Sequence, residues 1–495
     1  MSKNTEEDQL KDRLEQLRCH FTWKLQIKDA EMTDLENRVF DEIEFLDTKF
    51  NVSVHNLLAY VQHLKGQNKE ALQSLKQAED LVQTEQDGQA HVRRLVTWGN
   101  YAWLYYHMGQ LEEAQMYLDK VESTCKEFAS PSCYTVESPH MDCEEGWALL
   151  KCGGKSYERA KACFEKALEV DPENPEFNTG YAIAVYRLDG FIKVPHPGEA
   201  FCLQTLKRAI TLNPEDAYMK ALLAVKLQDS GQEAEGEKYI EEALTSMSFQ
   251  TYVYRYAAKF YRRKGSVDKA LHFLKMALEK TPSSAFVHHQ VGLCYKAQMI
   301  QIKKANNWRP RGRDEENIHR LVQKAICEFE KALELRPRFH TVYIDLAEMY
   351  AEMGHHRKAE DIFQKLLSMG IFHDHLHQDI HFRYGRFQEF HMKSEVNAVI
   401  HYLKAINKGN SSFTSNESLN AVEKLVLRKL RRNGADVESL SILGFVCKLK
   451  GKMHEALEWP RGRTWLTTVP TCVCYRSNTS QCLLSRKASL IVSSQ

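Results

Sequence analysis

Small, bulky and turn-forming residues recur along this chain in a fixed order, with charged stretches between them. Gly231 and Gly265 stand 34 positions apart, and Ala243/Ala277, Ala224/Ala258, Ala325/Ala359 and Phe329/Phe363 repeat the interval. A helical pattern of that period marks the tetratricopeptide repeat, a pair of antiparallel helices. The residue types fit. In the unit near 251–282, Tyr254 and Tyr261 are the bulky core residues of the first helix, and Ala258 lets the second approach. Gly265 makes the turn, Ala270, Leu274 and Ala277 face inward, and Pro282 ends the second helix. Tyr343, Leu346, Ala347, Tyr350, Gly354, Ala359 and Phe363 repeat that order, as do Ala59, Gly66, Ala71, Leu75 and Ala78. Trp98, Ala102, Tyr105, Gly109 and Ala114 mark another unit, and Ala160, Phe164, Ala167 and Pro172 half of one. The pattern predicts an all-α tetratricopeptide-repeat superhelical solenoid with a central groove or tunnel.

The repeats divide the chain into an N-terminal helical segment over 1–50, repeats over 51–250 and 251–459, and a divergent tail over 460–495. Two stretches lengthen their units, Gln298–Asn317 and Gly190–Glu199, and such insertions fall on loops that can rim a binding face. Leu443, Gly444, Gly451 and Ala456 begin a last repeat, but Trp459-Pro460-Arg461-Gly462 breaks its second helix. From Pro460 to Gln495 there is no Asp or Glu and no apolar period, so the tail reads as a substituted C-terminus with little ordered structure.

Charge changes the picture little. Lys+Arg total 67 and Asp+Glu 66, so any basic surface must be local. Met1–Asp12 is too polar for a secretory leader, and no apolar run is long enough to cross a bilayer. Thirteen scattered cysteines, an odd number, suit reduced thiols. These features predict a cytoplasmic protein with no membrane partner.

Catalytic chemistry finds no foothold. There is no phosphate loop, no His-Glu-x-x-His and no nucleophile–base pair, so neither an enzyme nor a cofactor is expected. His373, His375, His377 and His381 cluster without a completing Cys or carboxylate, which favours a solvated helix edge over a metal site. The informative stretch is Tyr254–Lys264, where Arg255, Lys259 and Arg262 fall at i, i+4 and i+7, one stripe of a first helix facing the groove. Register adds Tyr218 and His289 to the same lining. Cations beside aromatics suit single-stranded nucleic acid, yet repeat grooves also clamp acidic peptides with the same cations. Trp147 occupies a core position of its repeat, and packing is the simpler reading there.

Longer runs narrow the choice. Leu17–Trp23, Phe45-Leu46-Asp47-Thr48, His55–Tyr60, Cys143-Glu144-Glu145-Gly146-Trp147, Tyr254–Lys264 and Tyr384-Gly385-Arg386-Phe387-Gln388 resemble the interferon-induced proteins with tetratricopeptide repeats, the IFIT family. The likeness spans about Leu14 to Leu457 and is greatest to the cap-binding member and its sister paralogue. It implies an interferon-induced antiviral protein that holds the 5′ end of non-self single-stranded RNA and inhibits its translation. The RNA would carry a 5′-triphosphate or a cap lacking 2′-O-methylation. Carried over, Trp147 would stack on the cap guanine, with Leu46, Ile183 and Thr48 around it. Arg38, Lys151, Arg255 and Arg262 would meet the bridging phosphates. Tyr157, Arg187, Tyr218, His289 and Gln290 would surround the first nucleotides, where methylation is sensed. The implied partners are such RNA ends, other IFIT proteins and translation initiation factors; the alternative is an adaptor binding peptide segments of translation or signalling proteins. Three departures stand out. Glu42 and Asp216 replace Gln and Asn of the cap-binding relative and bring acid near the guanine or the phosphates. The broken last repeat replaces a helix that supports oligomers, so self-association is expected to be weakened.

Overall fold

The computed structural model describes residues 3–27, 32, 35–36, 38–40, 42–43, 51–84, 90–192, 198–245, 251–370, 374–406 and 413–451. Among them every regular element is helical. The helices used below are α1 (Lys3–Leu14), α2 (Asn51–Leu64), α3 (Asn68–Thr84), α4 (Ala90–His107), α5 (Leu111–Glu127), α6 (Pro139–Lys151), α7 (Tyr157–Val170), α8 (Pro175–Ile192), α9 (Gly198–Leu212), α10 (Ala217–Asp229) and α11 (Glu233–Thr245). They continue as α12 (Thr251–Lys264), α13 (Val267–Lys280), α14 (Ala285–Ala305), α15 (Arg313–Leu335), α16 (His340–Glu352), α17 (His356–Ser368), α18 (Asp374–Phe390), α19 (Glu395–Ala405), α20 (Phe413–Arg432) and α21 (Val437–Leu449). The chain forms two compact units, Met1–Ile362 and Phe363–Gln495.

In the first unit each odd-even alternation of the sequence pattern becomes a helical hairpin. Within α12, Val253, Ala257, Phe260 and Tyr261 are buried; Gly265 turns the chain at φ +91°, and α13 returns with Ala270, Leu274 and Ala277 buried. That turn needs a left-handed residue, which glycine adopts without strain. Each first helix packs on its own second helix and on a neighbouring first helix, as α10 does on α12 and α12 on α14. The first helices therefore lie side by side as a layer, and their remaining face lines the groove. Residues on both sides of position 250, from Ala217 to Cys294, share one buried cluster.

Phenylalanine rings lock the layers. Phe164 of α7 is fully buried against two bare backbones, and a Cβ at Gly180 would stand 2.2 Å from its ring, one at Gly146 2.9 Å. A helical glycine costs about 1 kcal/mol, and this close approach accounts for it. The lengthened unit differs from the loop that its sequence suggests. Much of Gln298–Asn317 extends α14 and α15 themselves, leaving a tight turn around Trp308 and Arg311. In the second unit, α18 packs on α19 and α19 on α20, around Tyr402, Val422 and Leu443. His381 is buried there, not solvated, with its Nδ1 3.0 Å from His401 Nδ1. Burial, His377, His401 and Lys404 push its imidazole down to about 3. His373 lies outside the described residues, as do most of the Gly190–Glu199 insertion and the tail from 452 onward. No helix among the described residues is long and apolar enough to cross a membrane.

Candidate nucleic-acid interface

The stripe on α12 separates two kinds of cation. Arg263 and Lys264 point outward and find carboxylates, Arg263 with Asp229 at 2.6 Å and Lys264 with Glu237. Arg255, Lys259 and Arg262 are half-buried and make no hydrogen bond or ion pair with any described residue. Arg255 is held instead by rings, its guanidinium carbon 4.5 Å from the Tyr252 centroid and 3.4 Å from that of Phe286. Burial lowers the Lys259 ammonium to about 8, with Arg263 and Arg262 adding repulsion and Asp229 opposing. Burial likewise lowers Arg262. Partly desolvated cations left without counter-charges bind anions well, because part of the desolvation cost is already met.

A second knot of charge lies on α6, α8 and the segment holding Arg38 and Glu42. Arg187 donates to the Leu150 carbonyl at 2.9 Å and lies 6.0 Å over the Tyr157 ring. Burial works against its charge, yet Tyr218, Tyr157, Tyr256 and Tyr252 hold the guanidinium above its ordinary value. Tyr218 meets Tyr252 and Tyr256 edge-on, each 5.7 Å between centroids. Arg38 donates to the Lys151 carbonyl at 3.3 Å and keeps solvent access. Burial and the Arg187 charge lower it. Lys151 is lowered by burial, with Arg187 and Arg38 repelling it and Glu42, its ion-pair partner, holding it up.

Trp147 sits at the edge of this knot. It is half-buried, with its ring edge-on to Phe164 at 5.3 Å. Its indole N–H interacts with the Glu176 carboxyl and the Cys143 thiol. Burial raises Glu176 to about 7, against Arg93, the nearby Trp147 indole and the hydrogen bond from the Cys143 thiol. Arg93 also meets Glu144 at 3.1 Å, and Ser53 donates to Glu144 at 2.5 Å. The ring is thus held on one side by Phe164 and keeps part of its surface exposed.

The tetratricopeptide-repeat profile matches residues 51–127, and a second one residues 154–174 and 340–369. The chain is 65% identical over 459 residues to "Antiviral innate immune response effector IFIT1" of Homo sapiens, covering 93% of this chain and 96% of that one. The chain belongs to the IFIT family. A solved structure of a monomeric IFIT1 mutant with m7Gppp-AAAA superposes with a TM-score of 0.85 at 64% identity, over 92% of this chain and 99% of that one. A human IFIT1 dimer with PPP-AAAA gives a TM-score of 0.78 at 61% identity, over 91% and 97%.

Among the residues singled out for this IFIT chain, the structure brings Arg38, Lys151, Tyr157, Arg187 and Tyr218 together. Arg255, Lys259 and Arg262 form the neighbouring stripe. Ile183 is buried in the core cluster against which Trp147 packs. His289 and Gln290 are buried on α14, His289 with its Nε2 2.9 Å from Asp345 Oδ2. Leu46 and Thr48 lie outside the described residues. Of the two acidic departures, Glu42 is spent on Lys151. Asp216 caps α10, its Oδ1 accepting from Met219 N at 3.0 Å. Burial raises its carboxyl, and the Met219 and Tyr218 amides oppose that. The sequence reading did not single out Tyr252 and Phe286, the rings that hold Arg255, although Tyr252 is three positions from it and so on the same helical face. It also missed Asp345, which carries no local signal because its partners lie 49 and 56 positions away.

Proposed function

We propose that this chain captures the 5′ end of non-self single-stranded RNA, bearing a triphosphate or a cap without 2′-O-methylation, and inhibits its translation as an antiviral effector. One observation carries the reading: Arg255, Lys259 and Arg262 stand half-buried on one stripe, the first two over aromatic rings, with no ion pair to any described carboxylate. Phosphates supply the missing charge, and bases supply planar partners for Tyr and Trp faces. In this reading Trp147 stacks on the cap guanine with Leu46, Thr48 and Ile183 nearby. Arg38, Lys151 and Arg255 meet the bridging phosphates, and Tyr157, Arg187, Tyr218, His289 and Gln290 surround the first nucleotides. The solved relatives with m7Gppp-AAAA and PPP-AAAA support both 5′ chemistries. A cytoplasmic setting fits a chain whose described cysteines are free thiols.

The test compares one RNA carrying 5′-hydroxyl, triphosphate, unmethylated cap and 2′-O-methylated cap, by fluorescence anisotropy. Triphosphate and unmethylated cap should bind best, and Arg187→Ala should weaken both. Equal affinity for all four ends would reject the reading and leave the groove to an acidic peptide of a translation or signalling protein. Self-association, seen in the human IFIT1 dimer, is proposed to be weak here because Trp459-Pro460 interrupts the last repeat. Sedimentation velocity should give mainly monomer, and a tight dimer would contradict it.

A further inference from the structure

The turn between α14 and α15 holds an aromatic ring and several cations outside the packed layers. With 21 residues against 14 in α12, α14 outruns that neighbour by about 10 Å at 1.5 Å per residue. Its last anchors are Gln301, whose Nε2 donates to the Gly265 carbonyl at 2.8 Å, and Lys303, which pairs with Glu352. Beyond them the hairpin stands clear of the rim as a spur. Trp308 at its tip is 61% exposed and makes no side-chain hydrogen bond or ring contact with a described residue. Lys304, Arg309, Arg311 and Arg313 are exposed around it, and their side chains pair with no described residue either. From Lys303 to Arg313 there is no Asp or Glu; the next acids, Asp314, Glu315 and Glu316, lie in the first turn of α15. The tip is nevertheless fixed. Trp308 N donates to the Lys303 carbonyl at 2.7 Å, and Asn306 Nδ2 donates to the Ile302 carbonyl and to Asp314 Oδ2, each at 3.0 Å. Trp308 sits at φ +60°, in the left-handed region that bulky residues rarely adopt. A ring held outward on a fixed turn loses little freedom when a ligand stacks on it.

The place of the spur says what reaches it. Burial raises the hydroxyl of Tyr252, the ring beneath Arg255, and the charges of Arg255, Glu42 and Arg187 all bear on it, so the α12 stripe begins beside the Arg187 knot. Arg255, Lys259 and Arg262 then follow one another toward the C-terminal end of α12. Arg262 stands three residues before Gly265, whose carbonyl takes the Gln301 amide at the base of the spur. A strand with its 5′ end in the knot and its phosphates along the stripe therefore leaves the groove at that base. There it meets cations without carboxylates and an open aromatic face, the pairing that suits single-stranded nucleic acid. An acidic peptide answers the arginines alone, whereas each nucleotide brings a phosphate and a stackable base.

We propose that the α14–α15 spur is a second RNA contact, in which Trp308 stacks on a base and Arg309 and Arg311 meet phosphates downstream of the nucleotides held in the groove. The proposal rests on the RNA reading above and extends it past the 5′ end. Such a contact carries no sequence preference, because every base has a face to stack and every phosphate the same charge. It does require that the strand stay unpaired where it leaves the rim.

A length series of unstructured 5′-triphosphate RNAs, from about four to sixteen nucleotides, provides the test by fluorescence anisotropy. Wild-type affinity should rise about five- to tenfold once the strand reaches the spur and then level off. Trp308→Ala, or Arg309→Gln together with Arg311→Gln, should abolish that gain and leave the shortest RNA bound as before. Trp308→Phe should keep most of it. A single abasic nucleotide, moved along the longest RNA, should weaken wild-type binding at one downstream position and have no effect there in Trp308→Ala. Affinity that does not change with length in the wild type, or a gain that survives both sets of substitutions, overturns the proposal and leaves the spur to a protein partner. So does a loss in Trp308→Ala that is equal at every length, since the ring would then act through the fold. Loss of all dependence on the 5′ phosphates would instead reject the functional reading.

Discussion

Arg255 shows how little of a binding residue is contained in its own letter. Its spacing from Lys259 and Arg262 is visible in the sequence because a helix brings i, i+4 and i+7 to one stripe. That these cations pair with no described carboxylate, while the adjacent Arg263 and Lys264 do, depends on neighbours far along the chain. Lys259 offers a direct check. With its ammonium at about 8 in the free protein, it is charged below that pH and loses its proton above it. RNA affinity should therefore decline between pH 7 and 9, and Lys259→Arg should flatten the decline in an anisotropy titration. Trp147 gives a second check. The repeat register alone favours core packing, and the ring does rest on Phe164, yet part of it stays exposed. Trp147→Ala should cost about 1–3 kcal/mol of affinity for capped RNA and far less for triphosphate RNA, by isothermal titration calorimetry. Equal losses for the two RNAs would mean that the ring serves the fold and not the cap.

At the scale of helices, the 34-residue period was legible because packing demands small residues at repeated positions, and Ala258, Ala270 and Ala277 are buried as that period requires. The Gln298–Asn317 insertion was not. Its extra length suggests a loop, while continuous helix up to Ala305 and again from Arg313 satisfies most backbone groups internally. Phe164 between α6 and α8 makes a packing prediction. Gly180→Ala would drive a methyl into the ring, and overpacking of this kind costs about 1–3 kcal/mol. Thermal denaturation should show the loss, and Phe164→Leu in the same chain should recover part of it. Because Trp147 leans on the same ring, capped-RNA affinity should fall in Gly180→Ala even at temperatures where the chain stays folded.

Over the whole molecule, charge is balanced, and only its placement distinguishes a ligand. The formal net charge of +1 predicts no general attraction to polyanions, so affinity should rest on the few uncompensated cations. Each single-strand phosphate they neutralise contributes about 0.7 to the slope of log affinity against log salt. Replacing Arg255 and Arg262 by Gln should flatten that slope by about 0.7 each. Arg263→Gln, whose cation already pairs with Asp229, should leave it nearly unchanged. A slope indifferent to all three would place the contact elsewhere on the chain.

The contacts that shape the groove do not respect the boundaries of the repeats. Arg187 of α8 bonds a carbonyl of α6, Arg255 of α12 lies on a ring of α14, and His289 of α14 takes its orientation from α16. The unit that folds is thus one hairpin, but the unit that recognises a ligand is a seam between two. Duplication or exchange of a whole hairpin, the ordinary route by which such arrays diversify, would keep the architecture sound while erasing the specificity at both of its borders. New ligand preferences in an array built this way have to arise by point substitution along the seams.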